Sequence, residues 1–316
     1  MMFNRLFMNR WDLLKSPFHP PLQKGEERYL PNARFYLCLC KVKISFFAAL
    51  SAATGLLLGA QSHWSALPTL MAGVFLVACG ACALNHWQER ATDTLMRRTA
   101  RRPIPSGRIK PCPALFFAVT LISSGTIVLL LTGILAAPLL GLAAVFWYNG
   151  FYTWLNSRSV FAAIPGALVG AIPPAIGWMA GGGSLLDPRL GVISFFFFMW
   201  QVPHFFIHLL AFGKEYEDAG LPSLTAVFTR AQLDRLTFQW TIATAVSLQL
   251  VIFFGLLQSA LVHICIIAVS LWLVINGINF MRVPEPSYTD VFRKTNYFML
   301  MVMILIFFDK LPGFLI

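Results

Sequence analysis

"ALPTLMAGVFLVACGACALNH", residues 66–86, contains no lysine, arginine, aspartate or glutamate in its twenty-one positions. At 1.5 Å per residue a helix of that length crosses the roughly 30 Å hydrocarbon core of a bilayer. Its apolar residues run continuously, without the strict in–out alternation of a barrel strand, and lipid leaves a helix as the structure that satisfies such a backbone. Eight further apolar stretches follow the same reading, near 43–60, 113–132, 136–154, 162–181, 190–211, 238–257, 260–281 and 296–313. The chain is 58% hydrophobic and 12% charged, about half the charge of a soluble domain. The expected fold is therefore all-α, a polytopic membrane helix bundle of about nine transmembrane helices.

The net charge of +11 follows from topology. Nine spans alternate the loops between two sides, and 22 of the 24 lysines and arginines fall on one set: the N-terminal segment and the loops near 87–112, 155–161, 212–237 and 282–295. Positive residues stay in the cytoplasm, so the expected placement is multi-pass in the cell inner membrane, with the N-terminus cytoplasmic and the C-terminus periplasmic. The positive charge then calls for no nucleic-acid partner. Residues 1–36, including "SPFHPPLQKGEERYLPNAR" at 16–34, are proline-rich and polar. They are expected to form a disordered cytoplasmic tail ahead of a membrane domain over 37–316. Cys79 and Cys82 form a CxxC inside an apolar helix, where small-residue packing is the simpler use.

Charge is concentrated where the quoted run ends. "NHWQERATDTLMRRTARRP", residues 85–103, holds two carboxylates and five arginines. If the helix continues, Asn85, Glu89 and Asp93 follow at i, i+4 and i+8, on one face. An amide and two carboxylates are hard oxygen donors of the kind Mg²⁺ takes while it also binds substrate phosphates. Arg97, Arg98, Arg101 and Arg102 can hold the same phosphates through forked hydrogen bonds. An arginine-rich loop also anchors a membrane protein, so this stretch alone leaves both readings open. "AFGKEYEDAGLPSL", residues 211–224, shifts the balance, bringing Lys214, Glu215, Glu217 and Asp218 to the same side. Five of the chain's thirteen acidic residues lie in these two places. Two such clusters on one membrane face suit two Mg²⁺ ions bridging one diphosphate, and metal-assisted departure of diphosphate from an allylic lipid.

These segments carry a family resemblance. The first is similar to the Asn-x3-Asp-x3-Asp segment, running into Met-x-Arg-Thr-x2-Arg-Pro, of the UbiA superfamily of intramembrane prenyltransferases. "WQVPHFFIHLLAFGKEYEDAGLPSL" at 200–224, "GALVGAIPPAIGW" at 166–178 and "DVFRKTNYFMLMVMILIFFDK" at 290–310 resemble its protohaem IX farnesyltransferase branch. The resemblance covers about residues 38–310. It implies a UbiA-like bundle, a prenyltransferase domain over 37–316, and farnesyl transfer from farnesyl diphosphate to a vinyl group of haem b, giving haem O.

On that basis Asn85, Glu89 and Asp93 hold one Mg²⁺, and Glu215 with Asp218 the other. Arg97, Arg98, Arg101, Arg102, Arg158 and Lys214 face the diphosphate. His204, which shares a helix face with His208, meets the haem. Membrane lipid surrounds the whole, and haem A synthase or terminal oxidase assembly lies downstream. The chain departs from the branch at four places: Glu89 and Glu215 stand for aspartates, Ala91 for a further acid, and Asn156–Ser157 for a Lys-Arg pair. The rival expectation is the same fold acting on an aromatic or quinone-precursor acceptor. A transporter, or a non-catalytic chaperone of oxidase assembly, accounts for fewer of these residues.

Overall fold

The computed structural model describes residues 33–59, 64–283 and 286–311. Within them the chain is helical, with no strand. The helices are α1 (Ala33–Leu39), α2 (Val42–Leu58), α3 (Leu67–Gln88), α4 (Pro111–Leu130), α5 (Ala136–Val145), α6 (Thr153–Asn156), α7 (Ala163–Gly166), α8 (Leu168–Ala180), α9 (Pro188–Asp218), α10 (Arg230–Phe253), α11 (Ala260–Arg282) and α12 (Tyr288–Asp309). Among the described residues seven helical stretches are long and apolar enough to cross a membrane, or eight if α1 and α2, bent by 52° at their junction, count as one span.

That falls short of the expected nine at 136–154. There α5 runs into a π-helical segment, Phe146–Tyr152, before α6 resumes, and no one piece is long enough alone. The expected tail at 1–36 lies outside the described residues except for 33–36, which already begin α1.

Lipid provides no hydrophobic drive between helices, so close backbone approach has to hold them together. The α2–α8 contact shows this directly. A Cβ on Gly177 would lie 1.8 Å from the Ala52 carbonyl oxygen, and one on Gly55 would lie 1.9 Å from that of Pro174. Large apolar side chains such as Phe116, Phe253 and Ile264 point outward and are exposed, as a lipid-facing surface requires. The buried core gathers around Trp178, Phe196, Phe197 and Phe298 from α8, α9 and α12.

The two ends of the bundle are chemically different. At one end the fully buried Asp309 accepts the backbone N–H groups of Gln258 and Ser259 at 2.8–3.1 Å and pairs with Lys310 at 3.3 Å. It satisfies orphan backbone donors leading into α11. At the other end Lys41, the 85–103 segment, Thr153 and the end of α9 come together.

Candidate active site

α3 ends at Gln88, yet its spacing persists. The N–H of Glu89 donates to the Asn85 carbonyl at 2.9 Å, and that of Asp93 to the Glu89 carbonyl at 2.8 Å. The chain then enters a short 3₁₀ turn, Thr92–Leu95. Asn85, Glu89 and Asp93 thus stay on one side without a continuous α-helix. Asn85 and Asp93 are buried. One Arg102 nitrogen donates to both Asp93 oxygens at 2.8 Å and lies 3.9 Å from Glu89. Thr99 ties the loop by donating to the Asp93 carbonyl at 2.8 Å.

The π-helical segment re-aims polar groups toward the same place, the use such segments commonly have. Asn149 within it donates to the Ala81 carbonyl and to Gln88, both at 3.0 Å. Thr153, just beyond, accepts the Asn85 amide N–H at 3.3 Å. From the α1–α2 junction Lys41 donates to the Asn85 oxygen at 3.3 Å. Three hard oxygen donors therefore face two cationic side chains, Lys41 and Arg102. That donor set fits a divalent cation that completes its shell with waters and phosphate oxygens. Among the described residues no three His, Cys, Asp or Glu side chains form a metal cage by themselves.

The second acidic loop meets the first. Glu215, in the last turn of α9, accepts the Arg98 backbone N–H at 3.2 Å. The Arg98 guanidinium lies 4.8 Å from the centre of the Phe212 ring, and its Nε is buried with no partner within the protein. Asp218 and Lys214, like Arg97 and Arg101, are exposed. Arg158 is turned onto the Trp154 ring at 4.4 Å. A small pocket lies between the loops, lined by Glu89, Thr92, Met96, Thr153, Asn156, Ser157, Tyr216 and Leu221. Asn156 and Ser157, the departures from the resembling branch, thus border the pocket beside Glu89.

Higher on α9, the His204 ring packs 5.0 Å from Trp200 and 4.4 Å from Phe292 of α12, and its Nδ1 is buried without a partner. His208 packs 4.9 Å from Phe212. Eleven residues, about 16 Å of helix, separate His204 from Glu215. Sequence reasoning did not single out Lys41, Thr153 or Tyr216. The signal for Lys41 was a cation at the head of an apolar run, which is also what topology alone demands.

Burial raises the Glu89 carboxyl above its ordinary 4.5, against the opposing pull of Lys41 and Arg102, and raises Asp93 above 3.8, against Arg102. Between the unfolded and the raised folded pKa the native state binds more protons than the unfolded one. Stability there falls as pH rises. Asp187, at the other end, is lowered by its bonds to Arg189; its window lies below 3.8 and does not overlap. Relative to a Glu89→Gln variant, the metal-free protein is therefore expected to lose melting temperature as pH rises through that window. A divalent ion added at neutral pH should raise the melting temperature and flatten that slope. A slope of opposite sign would contradict the burial of these carboxylates.

The chain as a whole is similar to known proteins. A model of the UbiA prenyltransferase family matches residues 46–302. The chain is 36% identical over 221 residues to a protoheme IX farnesyltransferase of Geobacter sulfurreducens, covering 70% of this chain and 82% of that one. It is 31% identical over 273 residues to one of Oleidesulfovibrio alaskensis, covering 86% and 95%. Among solved structures, a UbiA homolog from Archaeoglobus fulgidus bound to GPP and Mg²⁺ has the same fold, with a TM-score of 0.64 at 15% identity, over 86% of this chain and 98% of that one.

Proposed function

The chain belongs to the UbiA prenyltransferase family, and from that premise we propose that it transfers a farnesyl group from farnesyl diphosphate to a vinyl group of haem b, with Mg²⁺, to give haem O. It is a multi-span intramembrane prenyltransferase. The observation that carries the rest is the bond from Arg98 to Glu215, which joins the two acidic loops into one site. Curated relatives that carry the name protoheme IX farnesyltransferase support the acceptor, as do His204 and His208 on the face of α9 that leads away from Glu215.

In this reading Asn85, Glu89 and Asp93 hold one Mg²⁺, and Glu215, with Asp218, the other. The ions supply the positive charge that lets diphosphate leave. Arg98, with Arg97, Arg101, Arg158 and Lys214 around the mouth, binds its oxygens, while Arg102 holds Asp93 in place. The allylic C–O bond breaks with both electrons on the diphosphate. The vinyl carbon then attacks the farnesyl cation, and water adds to the neighbouring carbon and loses a proton. The acidic site faces the cytoplasm, where diphosphate substrates are supplied, and the far end holding Asp309 faces the periplasm. A haem A synthase or the assembly of a terminal oxidase consumes the product.

A smaller aromatic or quinone-precursor acceptor is the second reading. The short polar side chains of Asn156 and Ser157 beside Glu89 favour it. The two are separated by following inorganic diphosphate released from farnesyl diphosphate. Release that depends on haem b and stops with EDTA is the expected outcome. Release driven by a hydroxybenzoate and not by haem b supports the second reading. Release indifferent to EDTA counts against the metal.

A further inference from the structure

Lys41 is, among the described residues, the one non-glycine residue with positive φ, at φ 44 and ψ 52. It stands where α1 and α2 bend by 52°. A long side chain enters the left-handed region only where surrounding structure over-determines it, and such residues cluster at functional sites. Here the Lys41 carbonyl accepts from Ile44 at 2.8 Å, the Lys41 N–H donates to the Cys38 carbonyl at 3.3 Å, and the Ser45 hydroxyl closes the bend on the Cys40 carbonyl at 2.8 Å.

The bend delivers the ammonium to Asn85. Thr153 spends its hydroxyl proton on the Tyr148 carbonyl at 2.9 Å, so it can only accept from the Asn85 amide nitrogen at 3.3 Å. The Asn85 oxygen is therefore the end that faces Lys41, at 3.3 Å. Lys41 also acts electrostatically on both Glu89 and Asp93. Arg102 is already spent on Asp93. Of the three donors of the Lys41 ammonium, the Asn85 bond uses one. A cation with donors to spare thus sits on the first oxygen of the proposed metal set, at no carboxylate's exclusive service.

We propose that Lys41 is a catalytic residue of the diphosphate site: its ammonium holds the Asn85 oxygen in the free enzyme, yields it to the divalent ion, and then binds the departing diphosphate. The inference rests on the diphosphate reading above. No proton moves in the step. The allylic C–O bond breaks, the electron pair stays on the diphosphate oxygen, and Lys41 donates a hydrogen bond to that charge.

The two roles have opposite signs in the absence of Lys41. As a competitor for Asn85 the ammonium weakens divalent binding to the free protein, and as partner of the leaving group it accelerates ionisation. The test uses the full chain in lipid nanodiscs with Lys41→Met and Lys41→Arg. Lys41→Gly is added because glycine accepts the same positive φ and keeps the bend. Mn²⁺ binding to ligand-free protein is read by electron paramagnetic resonance, and diphosphate release from farnesyl diphosphate in parallel. Lys41→Met and Lys41→Gly are expected to bind Mn²⁺ severalfold more tightly and to lose turnover by about 100-fold, the scale of one lost stabiliser of developing charge. Lys41→Arg should keep part of the rate. Weakened Mn²⁺ binding together with lost turnover would make Lys41 structural and overturn the proposal, as would unchanged turnover in Lys41→Gly. A wild-type protein that releases no diphosphate at all would instead bring down the diphosphate reading itself, and this proposal with it.

Discussion

Replacing Glu89 by glutamine is expected to lower turnover by about 100- to 1,000-fold, the range for removing one preorganised electrostatic partner of a departing anion, and to leave the bundle folded. Glu89 follows the last residue of α3, and its carboxylate has no close ion pair, since Arg102 stands 3.9 Å away. Its charge is opposed by burial, so a neutral amide of the same shape is no harder to bury. The thermal midpoint of the metal-free variant should equal or exceed that of the wild type. Glu89→Asp is expected to stay active, because the resembling branch carries aspartate at this position.

Asp93 calls for a different variant. It is fully buried and bound through both oxygens by Arg102. Asp93→Ala leaves the half-buried Arg102 guanidinium without its partner, and lost activity would then be indistinguishable from lost fold. Asp93→Asn keeps the shape and is the informative change. Steady-state turnover with the melting curve recorded on the same sample checks both positions. A fully active Glu89→Gln would remove Glu89 from the metal set.

His204→Ala is expected to reduce catalytic efficiency toward haem b by about 5- to 150-fold, the equivalent of 1–3 kcal/mol for one unsatisfied buried polar contact. Binding of farnesyl diphosphate should be little affected. Position is the reason. His204 lies three helical turns from Glu215, against Trp200 and Phe292, with a buried nitrogen that no protein group satisfies. In the proposed reading a flat acceptor entering between α9 and α12 would meet that nitrogen, while a diphosphate bound near Glu215 and Asp93 would not reach it. Truncation also removes ring packing, so His204→Phe serves as the second variant. It restores contact with Trp200 and Phe292 and leaves out the nitrogens. Equal losses for haem b and farnesyl diphosphate in His204→Ala, reversed in His204→Phe, would make His204 a packing residue.

The helices were legible because lipid forces an uncharged run of twenty residues into one structure. The run at 66–86 alone fixed the class, and α3 and α4 follow the apolar stretches closely. Where the helix departs from regular α-geometry, legibility failed. Nothing in "FWYNGFY" at 146–152 announces a π-helical segment, because its cause is tertiary: Asn149 and Thr153 bond to α3. The i, i+4, i+8 spacing placed Asn85, Glu89 and Asp93 together, since local bonds carry that periodicity past the end of α3.

Pairings distant in sequence were not legible. Lys41 and Asn85 are 44 residues apart, and Arg98 and Glu215 are 117 apart. The arginines looked alike as a string, yet the fold divides them. Arg102 is spent on Asp93, Arg98 is half-buried against Phe212, Arg158 lies over Trp154, and Arg97 and Arg101 are exposed. A charge run reports a face, and only packing decides which member turns inward.

The most direct test is the mass of the product. Purified full-length protein in nanodiscs, given farnesyl diphosphate, Mg²⁺ and haem b, should yield a tetrapyrrole heavier than haem b by one farnesyl group and one hydroxyl group, and none in the presence of EDTA. Unchanged haem b, with a farnesylated hydroxybenzoate formed in a parallel reaction, would contradict haem b as the acceptor.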